Sequence, residues 1–241
     1  MFLYLIRHGE PDYETDTLTE LGVKQAELLS RRFKHVKFDR IFTSPLGRAK
    51  QTAMPTCIMQ NKKFEELQWL SESRAYDAMS AEIDGKKDWW FAVQNTKIRT
   101  PEDAEKYATS QTRVFYNSIA SSFDILLSEL GYEKCGRGTP DEASCGYEIK
   151  SDKYDRVALF CHDGISKILL SYALLIPFHV FCASFSIPHT GVTVLHYAQT
   201  DDKITAPRCM LLSDLSHLYA AREASPSDTR LYNFYNNAFD I

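Results

Sequence analysis

An α/β fold, with a mostly parallel central sheet and helices on both of its faces, is predicted by two features of the sequence. Apolar runs of strand length alternate with stretches of helical periodicity, the pattern of strands joined by crossover helices. The first run, Phe2–Ile6, is apolar or aromatic at every position rather than at every second one, as a strand covered on both faces must be.

The elements follow in order. "TLTELGVKQAELLSRRF" carries Leu21, Ala26, Leu29 and Phe33 at roughly helical spacing, with Thr17 or Thr19 available as N-cap. "FDRIFTSP" reads as a second strand around Arg40–Thr43, and a helix containing "GRAKQTA" follows it. Pro55 should end or kink that helix, because it removes an amide donor and crowds the preceding turn. From Tyr76 to about Asp155 the pattern changes. "DGKKDWWFAVQNTKIR" lacks periodicity, and Thr100-Pro101-Glu102-Asp103 is a helix start whose helix runs through Tyr107, Val114, Phe115, Phe123 and Leu127 to a stop at Gly131. "YEKCGRGTPDEASCGYEIKSDKYD" reads as an exposed loop, rich in glycine, charge and turn residues. "RVALFCHDG" restores the strand, "ISKILLSYALL" a helix, and "GVTVLHYA" and "RCMLLSD" two further strands. A single domain over residues 1–241, with a lid-like insertion at about 76–155, accounts for this order.

Bulk properties narrow the function. With 241 residues, 44% of them hydrophobic, the chain can bury a sizeable core. Its net charge of −4, with acids and bases interspersed, argues against a nucleic-acid partner, which calls for a basic face. Phe2–Ile6 is too short for an export signal, and "KILLSYALLIPFHVF", broken by Pro177 and His179, is too short to span a bilayer, so a cytoplasmic protein without a membrane partner is expected. Cysteines 57, 135, 145, 161, 182 and 209 lie far apart and are expected as reduced thiols, Cys135 and Cys145 included. His35, His179, His196 and His217 lack metal-type spacing. The aromatic tail "LYNFYNNAFDI" suggests docking on the domain or on a second subunit, and no pattern sets an oligomeric state.

The chemistry gathers at strand ends. In open α/β sheets ligands bind beyond the carboxyl ends of the strands. Arg7-His8-Gly9 ends the first strand, Ser44-Pro45-Leu46-Gly47-Arg48 follows the second, and Cys161-His162-Asp163-Gly164 follows a later one. Arginine forks and imidazoles delivered to one rim suit a phosphate, which a histidine can also attack. Trp89, Trp90 and Phe91 read first as core anchors and second as a substrate cover, and His189, just before a strand, reads first as a turn histidine and second as a residue lining the pocket.

"LIRHGEPD", "LTELGVKQAELL", "IFTSPLGRAKQTA" and "LFCHDGIS" stand in the order of the signature blocks of the histidine phosphatase superfamily, which the chain resembles, and more closely its phosphoglycerate mutase-like branch. The insertion matches poorly. The resemblance implies His8 as nucleophile, forming a phosphohistidine, with Arg7, Arg48 and His162 holding the phosphate oxygens. Gly9 would let the backbone pass close to the site. "LQWLSESR" is similar to the family's Leu-x-Glu block and makes Glu72 the general acid. Asp163 is the competitor, because the acid-phosphatase branch uses a His-Asp pair, although Glu10-Pro11-Asp12 departs from that branch's front motif. Ser44 would fix the Arg48 loop or touch substrate, and Glu10 would orient Arg7 or His162. The implied activity is metal-independent, cofactor-free hydrolysis of a small phosphomonoester. The alternatives are a phosphoglycerate mutase-type phosphotransferase and a non-catalytic phosphate-binding module.

Overall fold

A computed structural model describes residues 1–73, 80–83, 86–89, 102, 110–135 and 146–221. Its strands are β1 (Phe2–Arg7), β2 (Pro11–Asp12), β3 (Thr17–Leu18), β4 (Arg40–Thr43), β5 (Glu65–Glu66), β6 (Ser80–Ile83), β7 (Lys86–Trp89), β8 (Tyr132–Lys134), β9 (Tyr147–Ile149), β10 (Arg156–Cys161), β11 (Val192–Tyr197), β12 (Ile204–Thr205) and β13 (Pro207–Asp214). Its helices are α1 (Glu20–Arg32), α2 (Gly47–Gln60), α3 (Ser110–Glu129), α4 (Asp163–Leu174), α5 (Phe178–Ser184) and α6 (Ser216–Ala221).

The main sheet has six strands in the order β13-β11-β1-β10-β4-β5. β10 runs parallel to β1 and β4, β5 runs parallel to β4, and β11 is antiparallel to β1. The expected mostly parallel sheet is therefore present. Successive residues of a strand point to opposite faces, and the two faces carry separate cores. Leu3, Leu5, Val157, Leu159 and Cys161 pack with Phe123, Leu127, Ile165 and Leu169 of α3 and α4. Ile6, Ala158 and Phe160 pack with Leu29, Ala53 and Cys57 of α1 and α2 on the other side. Continuous apolar strands are what this double cover requires.

Local signals explain the helix ends. Thr19 caps α1, its side chain accepting the Gly22 N–H at 3.1 Å. α2 does not stop at Pro55 as expected but runs to Gln60 and ends on Asn61 in the left-handed conformation. Proline forfeits a single backbone bond there, while its neighbours Ala53, Thr56 and Cys57 are buried and hold the helix on the sheet. Tertiary packing outweighs the local cost.

The stretch 76–155 divides. Residues 110–135 and 146–155 belong to the body of the fold. α3 buries Ile119, Phe123, Leu126 and Leu127, and β8 and β9 pair antiparallel with β12 beside them. The exposed loop expected from Tyr132 to Asp155 is thus corrected at both ends, where Tyr132 and Tyr147 are buried in short strands. Charged residues between two tyrosines disguised a three-residue alternation. β6 and β7 form a hairpin. The proposed helix start around Thr100, the aromatics Trp90 and Phe91, Cys145 and the tail lie outside the described residues, as does the side chain of Trp89.

Gly131 stops α3 as anticipated. Its φ of 95° suits glycine alone, and a Cβ there would sit 2.5 Å from the Ser151 carbonyl oxygen. Gly131→Ala should lower unfolding free energy by at least ~1 kcal/mol in urea titration while leaving the strand-end site intact. An unchanged midpoint would contradict this account of the turn.

Candidate active site

β10 lies between β1 and β4, and the register levels their carboxyl ends. Arg7 is paired with Cys161 and Thr43 with Phe160, so His8, His162 and Ser44 emerge side by side. The backbone continues the pairing past the strands, with the His8 N–H on Cys161 O (2.9 Å) and the Ser44 N–H on Phe160 O (2.9 Å).

His8 is buried, and its Nδ1 lies 2.6 Å from the Gly9 carbonyl oxygen. An imidazole bonded to a carbonyl must carry its proton on that nitrogen, which leaves Nε2 with a free lone pair. Burial, reinforced by His162 and Arg7, holds the His8 pKa well below its usual value, so the neutral ring prevails. Gly9 is needed for a different reason from the one anticipated. A Cβ on it would stand 2.8 Å from the Gly22 carbonyl of α1, so the space is taken by a helix rather than kept for a ligand. Its N–H is held by Thr52 Oγ1 at 2.9 Å.

Two guanidinium groups flank the ring. Arg48, the second residue of α2, is buried, donates from Nε to His8 Nε2 at 3.3 Å, and pairs through Nη1 with Asp16 Oδ1 at 2.6 Å. Arg7 donates from Nη1 to the Ile187 carbonyl at 2.5 Å, and its Nε is buried without a hydrogen-bond partner among the described residues.

The His162 ring stands 5.1 Å from the His8 ring, edge to face. Its Nε2 lies 2.8 Å from Ser44 Oγ, and Nδ1 is buried with no hydrogen-bond partner among the described residues. Burial, then Arg48 and Arg7, hold its pKa well below normal. Ser44 thus sits behind His162 and also accepts the Leu46 N–H at 3.3 Å.

The two candidate acids are separated by their surroundings. Glu72 accepts the Gly164 N–H through Oε1 at 2.8 Å, and its Oε2 lies 3.8 Å from His162 Nδ1. Burial raises its pKa, and the neighbouring Asp163 charge raises it further. Asp163 instead pairs with Lys167 at 2.9 Å, one turn along α4. Glu10 is held through its backbone: its N–H bonds Gln25 Oε1 at 2.8 Å, while its Oε2 is buried without a hydrogen-bond partner among the described residues.

His189 is more than a turn residue, since its ring lies 5.4 Å from that of His8. The next residue, Thr190, donates its N–H to the carbonyls of Arg7 (3.1 Å) and His8 (3.2 Å), and its hydroxyl oxygen lies 3.0 Å from His217 Nε2. The pocket alternative for His189 is thus the one its position fits, while the Thr190 contacts had no signal in the sequence, because "SIPHTG" carries no strand or helix pattern. Among the described residues no group of three or more His, Cys, Asp or Glu side chains could hold a metal ion, and no helix is long and apolar enough to cross a membrane.

Residues 3–116 match the family model of the histidine phosphatase superfamily, branch 1. The chain is 33% identical over 95 residues to the fructose-2,6-bisphosphatase TIGAR of Xenopus tropicalis, covering 35% of this chain and 34% of that one. It is 39% identical over 117 residues to the adenosylcobalamin/alpha-ribazole phosphatase of Salmonella typhimurium, covering 45% and 52%. The chain therefore spans about a third to a half of the length of these curated relatives. In three dimensions it is similar to the phosphoserine phosphatase of Entamoeba histolytica solved with 3-phosphoglyceric acid, with a TM-score of 0.56 over 90% of this chain and 98% of the other. At 19% identity that likeness attests the fold.

Neutral burial of His8, His162 and His217 ties stability to pH. All three have folded pKa values below the ordinary 6.5, His217 down to about 3 through burial and Arg32. Below pH 6.5 the unfolded chain takes up protons that the folded chain refuses, so stability falls as pH drops, by up to about 1.4 kcal/mol per pH unit per histidine. His217→Gln should flatten that slope in urea titrations between about pH 6.5 and about pH 5. An identical slope would remove His217 from the account.

Proposed function

We propose that the chain, whose residues 3–116 match the histidine phosphatase superfamily, hydrolyses a small phosphomonoester through a phosphohistidine on His8. One observation carries the reading. Two neutral imidazoles and two guanidinium groups converge below the surface, and buried nitrogens of Arg7 and His162 have no hydrogen-bond acceptor among the described residues. Buried donors left unmatched are costly unless an anion meets them. A tetrahedral phosphate supplies oxygens for each.

In this mechanism Ser44 gives its O–H to His162 Nε2, and the ring proton rides on Nδ1, ready for a phosphate oxygen. Arg48 Nε moves from His8 Nε2 to a second oxygen and so uncovers the nucleophile's lone pair. His8 Nε2 attacks phosphorus in line as the ester P–O bond breaks. Glu72, whose buried setting favours its protonated form, gives its proton to the departing oxygen. Water then attacks phosphorus, Glu72 takes back a proton, the P–N bond breaks and inorganic phosphate leaves. The positive field comes from Arg7, Arg48 and His162, so the proposal needs no metal: phosphoryl transfer asks chiefly for alignment and charge stabilisation. Glu72 is preferred to Asp163 because the aspartate is already committed to the Lys167 ammonium.

Removal of Nε2 should be decisive. His8→Ala should lose at least ~10³-fold in turnover of p-nitrophenyl phosphate and fail to trap a labelled, acid-labile phosphoenzyme. Turnover equal to wild type would refute the nucleophile assignment, and transfer of phosphate to a second hydroxyl of phosphoglycerate instead of to water would move the reading to a mutase. The acid is tested by leaving group. Glu72→Gln should depress hydrolysis of an alkyl phosphate by ~10²-fold or more, yet affect p-nitrophenyl phosphate far less, since nitrophenolate departs without a proton. The same selectivity in Asp163→Asn, with Glu72→Gln indifferent to leaving group, would reverse the assignment.

A further inference from the structure

The turn of the short hairpin between the first strand and α1 falls between two of the motif blocks, yet it reaches the site. β2 and β3 pair through Pro11–Leu18 and Asp12–Thr17, and the turn between them is tied by Asp12, which accepts the Glu14 N–H and the Thr15 hydroxyl, each at 2.9 Å. The turn ends on Asp16, whose φ of 53° is a left-handed conformation that disfavours any side chain but is tolerated by aspartate. In that conformation the carboxylate reaches two donors. Oδ1 takes Arg48 Nη1 at 2.6 Å and Oδ2 takes the Gly47 N–H, at the start of α2, also at 2.6 Å.

We infer that Asp16 is a positioning residue for phosphate capture, setting the orientation of the Arg48 guanidinium from the hairpin turn. An exposed arginine–carboxylate pair would be of little consequence. Here the Arg48 side chain is only 10% exposed, and the carboxylate is itself pinned by a backbone amide, so the guanidinium plane is set by a rigid partner. Arginine has five N–H donors. Asp16 takes one, and His8 Nε2 holds another only until phosphate arrives, so all but the Asp16-bound donor are left for oxygens of the substrate. Asp16 neither meets phosphate nor exchanges a proton in this scheme; it prevents Arg48 from adopting the many rotamers that would leave its charge misaligned. Tyr13, exposed on the same turn, sets its ring 5.4 Å from the guanidinium carbon, within cation–π range.

The inference rests on the phosphatase reading, and the test separates the two. Turnover of p-nitrophenyl phosphate and inhibition by vanadate are measured for wild type, Asp16→Ala, Arg48→Ala and the double variant, with thermal unfolding of each. Asp16→Ala should lower kcat roughly 10- to 100-fold with a smaller change in KM, and weaken vanadate inhibition in parallel. In the Arg48→Ala background the same change should cost less than about 2-fold, because the group it positions is gone. Equal losses in both backgrounds, or no loss in wild type, would overturn the role. Should Asp16→Ala fail to fold, Asp16→Asn, which keeps one acceptor and drops the charge, is read the same way. Were the wild type inactive, the phosphatase reading would fail alone: calorimetric binding of inorganic phosphate to the four proteins should then still weaken with Asp16→Ala only where Arg48 is present, and any other pattern refutes the inference.

Discussion

The contact on which the rest depends is the 2.6 Å bond between His8 Nδ1 and the carbonyl of its own neighbour, Gly9. A histidine beside two guanidinium groups could be useless as a nucleophile in two ways: by being protonated, or by presenting the wrong nitrogen. Burial among cations settles the first, and the Gly9 carbonyl settles the second. That carbonyl is immobile in turn, since Gly9 is wedged against the backbone of α1 and its N–H is held by Thr52 of α2. The two helices on one face of the sheet therefore act on the ring through a single backbone unit.

The same low-dielectric setting acts in opposite senses on the two kinds of group. Desolvation lowers the pKa values of the imidazoles and raises that of Glu72, favouring the neutral form of each. Asp163, next to Glu72 in charge but matched with Lys167, contributes by repelling a second negative charge. Protonation in this pocket is thus biased by burial first and by charge neighbours second.

Much of this was readable from the chain. β4 appeared at its observed bounds, and the residues at the ends of β1, β4 and β10 were identified before their convergence was known, because a strand tip rich in Arg, His and Gly has no packing purpose. What escaped reading depends on contacts distant in sequence. Thr190, just before β11, and His217, on the short helix α6, matter only through the three-dimensional neighbours they meet. Asp16 hides in a run of turn residues whose polarity is unremarkable in a loop. Pro55 misled because local propensity is a weak prior against a buried helix face.

The placing of β10 between two strands that precede it has a consequence for biosynthesis. After Thr43 leaves the ribosome, about 110 more residues must follow before Arg156 arrives, on the order of ten seconds at ~5–20 residues per second. Throughout that interval β1 and β4 lack their shared partner, and the apolar flanks of both remain open to other chains. Until β10 arrives, the nascent chain therefore carries unpaired strand edges and cannot yet hold a phosphate.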